Sequence, residues 1–103
     1  MFDNMSNDEI AVYYTAIAQP GMTASMAASV ADGLNEGRDE YGVLVLANDN
    51  RDFWGETDQE LRDAVVYMSA EIVRADSARA RHMLAEVVKI WNRLRRYRGK
   101  KVA

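Results

Sequence analysis

Two short acidic runs in this 103-residue chain have the residue types and the spacing to hold a divalent metal ion. One is NEGRDE, residues 35–40, and the other is QELRDAVVY, residues 59–67. Carboxylates three or four residues apart share a helix face, where like charges repel unless a cation lies between them. Two such faces supply the oxygen ligands that Mg²⁺ or Mn²⁺ prefers and leave positions for substrate phosphates. The candidate ligands are Glu36, Asp39, Glu40, Glu60 and Asp63.

The second run also has an interpretation that involves no chemistry. In GETDQELRDAVVY, residues 55–67, Thr57 and Glu60 match a capping box, in which the glutamate folds back to the amide of the cap residue. A Glu60 used in this way cannot easily reach a metal. A helix that begins near Phe53 would place Glu60 inside the helix and favour the metal site, whereas a start at Thr57 favours the cap. Acidic stripes are also common on solvated helix faces.

The composition limits what kind of site the chain can build. There are no cysteines and one histidine, His82, so disulfides and thiolate metal sites are excluded, and carboxylates suit Mg²⁺ better than zinc. No apolar run approaches the roughly 20 residues of a membrane span. The acidic amino terminus lacks the basic region of a signal peptide. We therefore expect a soluble, cytoplasmic chain with no membrane partner.

The formal net charge of −3 conceals a division along the chain. Residues 1–78 carry fifteen acids and four bases, a balance of −11, whereas residues 79–103 carry nine bases and one acid, a balance of +8. Such asymmetry is typical of a basic tail for nucleic acid, a basic helix packed on an acidic body, or head-to-tail subunit contacts.

Cap residues and apolar periodicity predict an all-α fold, a small four-helix bundle forming one domain over residues 1–98 with a frayed basic tail over 99–103. The first helix should begin at a Ser6–Glu9 capping box and end near Ala18, and the second should begin at Thr23 or Ser25 and end before Gly42. The third is predicted from near Thr57 to about Ala75, and the fourth over 78–97. Because no glycine or proline separates the last two, one continuous helix is an alternative. Residues 43–55 are expected to form an ordered, partly buried loop.

Each predicted helix has an apolar stripe that should face the core. These stripes are Ile10, Tyr13, Tyr14 and Ile17; Met26, Val30, Leu34 and Tyr41; Leu61, Ala64, Val65, Met68 and Ile72; and Met83, Leu84, Val87, Val88, Trp91 and Leu94. Gly37 lies within the second helix at a cost of roughly 1 kcal/mol relative to alanine, which suggests close approach by another helix.

An acidic pair on one helix, a loop, and E-x-x-D on the next helix followed by apolar residues resembles the MazG-like all-α NTP pyrophosphatase superfamily. The matching residues are NEGRDE and QELRDAVVY, within a resemblance that covers roughly residues 26–75 and also extends to small phage-type proteins. It implies Mg²⁺ bound by Glu36, by Asp39 or Glu40, and by Glu60 and Asp63. It further implies a homodimer that cleaves nucleoside triphosphates to monophosphate and pyrophosphate. The chain has Asp39 where the family commonly has glutamate, and Arg51 stands where a phosphate-binding lysine is expected.

Other residues are candidates for binding a nucleotide polyphosphate. Lys89, Arg93 and Arg96 form one basic stripe that could contact phosphates or simply face solvent. Trp54 and Tyr67 could stack on a base, although a loop anchor and core packing are their alternative roles. Glu60 and Asp63 are the candidate catalytic residues. A nucleic-acid partner is not expected, because most of the chain is acidic, whereas a non-enzymatic helical protein that binds a host protein is the alternative function.

Overall fold

The computed structural model describes residues 4–99, which form four α-helices joined by short segments. They are α1 (Asn7–Ile17), α2 (Ala24–Tyr41), α3 (Phe53–Ala75) and α4 (Ala78–Arg98), with a 3₁₀ turn over Leu46–Asn48. The fold is all-α, a small helical bundle, as predicted. Among the described residues, no helix is both long enough and apolar enough to span a membrane. Apart from Gly99, the predicted basic tail lies outside the described residues.

Three of the helix starts are capped as the sequence predicts. In α1 the Ser6 hydroxyl accepts from the backbone N–H of Glu9 at 3.1 Å, and the Ser6 N–H donates to the Glu9 carboxylate at 2.7 Å. The predicted capping box is therefore present. The hydroxyl groups of Thr23 and Ser77 accept backbone N–H bonds in the first turns of α2 and α4. These caps satisfy donors that the helices themselves leave without partners.

The start of α3 differs from the capping-box prediction. The helix begins at Phe53, four residues before Thr57, and Asp52 at its N-cap makes no side-chain capping bond. The Thr57 hydroxyl donates at 2.8 Å to the carbonyl oxygen of Phe53, a contact between successive turns inside a helix. The interpretation of Thr57 and Glu60 as a capping box is therefore wrong.

A sharp break separates α3 from α4. Asp76 has φ of 47°, in the left-handed region that ends α-helices, and its N–H donates to the carbonyl of Ile72. Ser77 then has an extended backbone and caps α4. The alternative of one continuous helix is therefore wrong, and Asp76 and Ser77 terminate and restart the helix as the sequence suggested.

The chain divides into two compact units with the boundary between Asn50 and Arg51. The first contains α1 and α2, and the second contains α3 and α4, and the two helices of each unit pack against each other. In both units the early part of one helix lies beside the late part of the next, so both pairs are antiparallel. Glu9 reaches Arg38 in the first unit, and Asp58 reaches Arg95 in the second. A single domain over residues 1–98 stays a prediction.

Side-chain bonds hold the segment after α2 against the start of α1. Gly42 ends α2 with φ of 85°, a conformation that glycine adopts readily. The Ser6 hydroxyl then donates to the carbonyl of Leu44 at 2.7 Å, and the N–H of Leu46 donates to the Asp8 carboxylate at 2.8 Å. The segment is thus ordered and partly buried, as expected, although it ends at Asp52 rather than at residue 55.

The core is smaller than the apolar stripes predict. Its buried apolar residues are Tyr13, Ala31, Ala80 and Val87. Several residues assigned to the core are about half exposed: Tyr14, Met26, Tyr41, Met83 and Val88. A helix in a two-helix unit has one neighbour, so one narrow face is buried within the unit and the rest of a wide apolar stripe stays outside. The described residues also place no atom within 4 Å of a Cβ at Gly37, so the expected close helix approach is not found.

Candidate functional site

The three acidic candidates of α2 lie near its carboxyl end. Glu36, Asp39 and Glu40 are all exposed. Their spacing brings Glu36 beside both of the others on one helix face. Arg38, within the same short run, is directed away from this group and binds Glu9 of α1. The first unit therefore presents an acidic helix face to solvent.

The two acidic candidates of α3 differ in their surroundings. Glu60 is exposed and lies almost two turns inside the helix, so helix capping does not engage its carboxylate. Asp63, one turn further on, is half-buried and accepts bonds from the Arg62 guanidinium at 3.0 and 3.1 Å. Asp63 would have to exchange this partner in order to bind a cation.

The carboxylates of α2 belong to the first unit and those of α3 to the second. The structure brings Glu36, Asp39 and Glu40 together on one helix, and Glu60 and Asp63 together on another. Within residues 4–99 there is no group of three or more His, Cys, Asp or Glu residues placed to hold a metal ion. As donors, exposed carboxylate oxygens are of the kind that Mg²⁺ accepts. A site that joins both helices stays a prediction.

The candidate substrate-binding residues all lie in the second unit. The Arg51 guanidinium lies 5.1 Å from the centre of the Phe53 ring, and the Lys89 ammonium group binds Glu86 at 3.3 Å. Trp54 and Tyr67 are 53% and 67% exposed. Trp54 belongs to the first turn of α3, so its alternative role as a loop anchor is wrong, and so is core packing for Tyr67. The remaining candidates, Arg93 and Arg96, are exposed, as is His82.

Asp58 is the centre of a contact network that the sequence analysis did not identify. The Trp91 indole N–H donates to Asp58 Oδ1 at 2.9 Å, and Arg95 donates through Nε to Oδ1 at 2.9 Å and through Nη2 to Oδ2 at 3.1 Å. The Arg95 guanidinium also lies 4.8 Å from the centre of the Trp91 ring. The bonds from Arg95 and Trp91 hold the pKa of Asp58 below its usual value, and the bond to Asp58 raises the pKa of Arg95.

A second ion pair lies at the open end of the same hairpin. Arg98 donates to Asp52 at 2.6 Å, and a shallow depression of about 340 Å³ is lined by Asp58, Arg95, Arg98 and Gly99. Both arginines already bind carboxylates here. The network therefore fastens the start of α3 to the end of α4, and this cross-helix fastening accounts for its geometry.

Glu9 is the most deeply buried charged residue that the structure describes, with 1% of its surface exposed. Its carboxylate accepts from the backbone N–H of Ser6 at 2.7 Å and from Nε of Arg38 at 3.1 Å. Burial alone would raise the pKa of Glu9, but these bonds outweigh it and the pKa lies below its ordinary value. Nη2 of Arg38 is buried and has no hydrogen-bond partner among residues 4–99.

The sequence gave a signal for only half of the Glu9 arrangement. The capping box was visible because Ser6 and Glu9 are three residues apart. The Arg38 contact spans 29 residues and the Asp58–Arg95 contact spans 37, so both required the antiparallel register of the helices.

Comparisons with known proteins do not place the chain in a family. No protein-family model, curated protein or solved structure matches this chain.

Proposed function

We propose that this chain binds a nucleoside polyphosphate through Mg²⁺, with Mn²⁺ as a substitute, and hydrolyses it to monophosphate and pyrophosphate. The observation that supports this most is the start of α3 at Phe53, which leaves the Glu60 carboxylate exposed, inside a helix and outside any capping box. Glu36, Asp39 or Glu40, and Asp63 complete the ligand set. Bound Mg²⁺ would neutralise the charge of the phosphates and orient them for attack.

The remaining roles follow from residue chemistry. Glu60 and Asp63 are candidate general bases for the attacking water. The exposed rings of Trp54 and Tyr67 suit stacking on a base. The cations Arg51, Lys89, Arg93 and Arg96 suit contacts with phosphate oxygens. The resemblance of the acidic motifs also implies a homodimer and a cytoplasmic location.

Turnover is the decisive test. Purified protein is incubated with a panel of NTPs and dNTPs plus Mg²⁺, and release of pyrophosphate is measured. Glu60→Gln is expected to abolish turnover, whereas Glu56→Gln, which removes the same charge one turn earlier in α3, should retain it. Wild-type protein without turnover would contradict the enzyme, and activity surviving Glu60→Gln would contradict the site.

Metal binding is measured separately from turnover. Titration with Mn²⁺, followed by electron paramagnetic resonance, reports the free ion directly. We expect binding that weakens at least about tenfold in Glu60→Gln and in Glu36→Gln, since each removes one charged oxygen ligand. Equal affinity in the wild type and both variants would remove these residues from the ligand set.

A second candidate function is a non-enzymatic helical protein of phage type that binds a host protein. Exposed apolar residues support it, because surfaces of this kind serve association. In the second unit Tyr67 is 67% exposed and Val73 is 87% exposed. A pull-down from host lysate should recover a partner in stoichiometric amount, and a Tyr67→Ala variant should lose it. Recovery of nothing stoichiometric would contradict this function.

A further inference from the structure

The α3–α4 hairpin buries one regular seam. The half-buried or buried residues of the seam recur at alternating steps of three and four, the spacing of packed helices. On α3 they are Asp58, Leu61, Val65, Met68 and Ile72, and on α4 they are Ala80, Leu84, Val87, Trp91 and Leu94. Asp58 contacts both Trp91 and Arg95, so it lies level with the turn between them. This contact fixes which residues of the two helices lie at equal height.

One edge of the hairpin, next to this seam, carries large apolar side chains. Met83, Ile90 and Tyr97 lie seven residues apart on α4, each one position before a seam position, and are 52%, 50% and 56% exposed. In an antiparallel pair, residues that precede such positions lie at the same edge of both helices. Ala64 occupies the equivalent position on α3, with Tyr67 one turn further along. We call this surface the Ile90 edge.

The Ile90 edge is large enough for a weak but specific interface. Each of its four large side chains exposes on the order of 100 Å², since a buried aromatic covers about 150–250 Å². Two copies of the edge, with their polar margins, would therefore bury roughly 1,000 Å², near the lower limit of specific protein interfaces. An interface of that size is expected to have a dissociation constant in about the micromolar range.

The charges along the Ile90 edge indicate its occupant. Three acids and three bases border the apolar residues: Glu60, Glu71, Glu86, Arg74, Arg79 and Arg93. A nucleic acid or an anionic lipid surface would meet three carboxylates, and a uniformly acidic protein would meet the same repulsion. The edge therefore fits a partner that is apolar along its centre and carries both signs of charge in equal number. A second copy of this chain has that pattern.

We propose that two copies of this chain associate through the Ile90 edge, about a two-fold axis parallel to the helices, so that α3 of each copy faces α4 of the other. A rotation of this kind keeps the height of every residue while exchanging the two helices. Glu60, which lies less than one turn from the height of Arg93, then faces Arg93 of the second copy, and the pair occurs twice. Met83 and Ile90 pack against Ala64 and Tyr67 of the second copy. This association does not depend on nucleotide chemistry.

The first test is the mass of the full chain in solution. Analytical ultracentrifugation at about 100 µM, well above a micromolar dissociation constant, should give the mass of a dimer. Ile90→Arg should raise the dissociation constant at least about tenfold, because it places an unpaired charge at the centre of the edge. Val66→Arg is the matched control, since Val66 is 57% exposed on the opposite edge of the hairpin. Circular dichroism verifies that both variants are folded.

Charge exchange tests the orientation. Glu60→Arg and Arg93→Glu should each weaken association several-fold at low salt, and the double variant should restore it, because the pair is re-formed with opposite sign. Turnover would not return in the double variant, since arginine cannot bind a metal, so failure of the nucleotide proposal leaves this test unaffected. A monomeric wild type, an equal effect of Val66→Arg and Ile90→Arg, or no rescue in the double variant would overturn the proposal.

Discussion

The two helical hairpins are each fastened by an arginine–carboxylate pair, but the pairs have opposite surroundings. In the α1–α2 unit Glu9 is 1% exposed and its partner's side chain, that of Arg38, is 19% exposed. In the α3–α4 unit the side chains of Asp58 and Arg95 are 16% and 61% exposed. Water can replace a partner lost from the second pair but hardly from the first. The same chemistry should therefore carry very different weight in the two hairpins.

The difference in surroundings follows from how much apolar surface each hairpin buries. The α3–α4 seam runs along both helices, from Asp58 to Ile72 and from Ala80 to Leu94. The α1–α2 unit has two buried apolar residues among those described, Tyr13 and Ala31, together with the buried Glu9. A unit with so few apolar contacts depends more on its polar bonds. Removal of one partner should make this visible.

Removal of the Glu9 side chain is expected to have the largest effect on stability. Glu9→Ala leaves the Arg38 guanidinium buried without its counter-charge and breaks the capping box, which together should cost about 3 kcal/mol or more of the free energy of unfolding. Urea unfolding followed by circular dichroism measures this loss. Asp58→Ala is the matched variant in the other hairpin and should cost clearly less. Equal losses in the two variants would show that burial does not distinguish the pairs.

Acid should weaken the α1–α2 unit through the same carboxylate. The pKa of Glu9 is lower in the folded chain than its ordinary value of 4.5, so the ionised group contributes stability that is present above about that pH. That contribution is lost as the pH falls through the folded pKa. Stability measured from pH 7 to pH 3 should fall less steeply in Glu9→Gln than in the wild type. Identical profiles would contradict the assignment.

Salt should weaken the exposed pair more than the buried one. At 1 M NaCl the screening length is about 3 Å, and charges in contact with water are screened far more than buried ones. The stability difference between wild type and Asp58→Asn should therefore shrink as NaCl is raised, while the difference between wild type and Glu9→Gln should persist. Urea midpoints at low and high salt give both differences. A persistent Asp58 difference would mean that its bonds to Trp91 and Arg95 are shielded from solvent.

Hydroxyl groups near the helix starts provide the smallest contrast. Ser77→Ala removes the side-chain cap of α4 and should cost about 1 kcal/mol. Thr57→Ala should cost at most a few tenths of a kcal/mol, because Thr57 lies inside α3 and donates to the Phe53 carbonyl instead of capping. Thermal unfolding of the two variants measures the contrast. A larger loss for Thr57→Ala would restore the capping-box interpretation.

Much of the fold was predictable because helix ends and helix periodicity are local. Ser6, Thr23 and Ser77 act within three residues of themselves, and each was identified correctly. The start of α3 was not, because Thr57 and Glu60 match a capping box in sequence while the helix continues four residues further toward the amino terminus. A local pattern cannot exclude a longer helix that contains it.

The candidate site was predictable in its parts and not in its assembly. Spacing alone puts Glu36 beside Glu40, and Glu60 beside Asp63, because positions three or four apart in a helix are neighbours. Spacing did not reveal that Arg62 binds Asp63 or that Tyr67 is exposed. Side-chain partners and exposure depend on rotamers and on which helix face meets another helix.

The sequence by itself determined four helices, most of their ends and the acidic and basic halves of the chain, since these properties depend on residues a few positions apart. Only the tertiary structure decided which charges are used up within the fold. Glu9 and Asp58 look like any other acids of the chain, yet they bind Arg38 and Arg95 across antiparallel helices, whereas Glu36 and Glu60 stay exposed. The physical reason is that an ion pair across a hairpin requires the relative height and rotation of two helices, and these arise from packing along the whole seam.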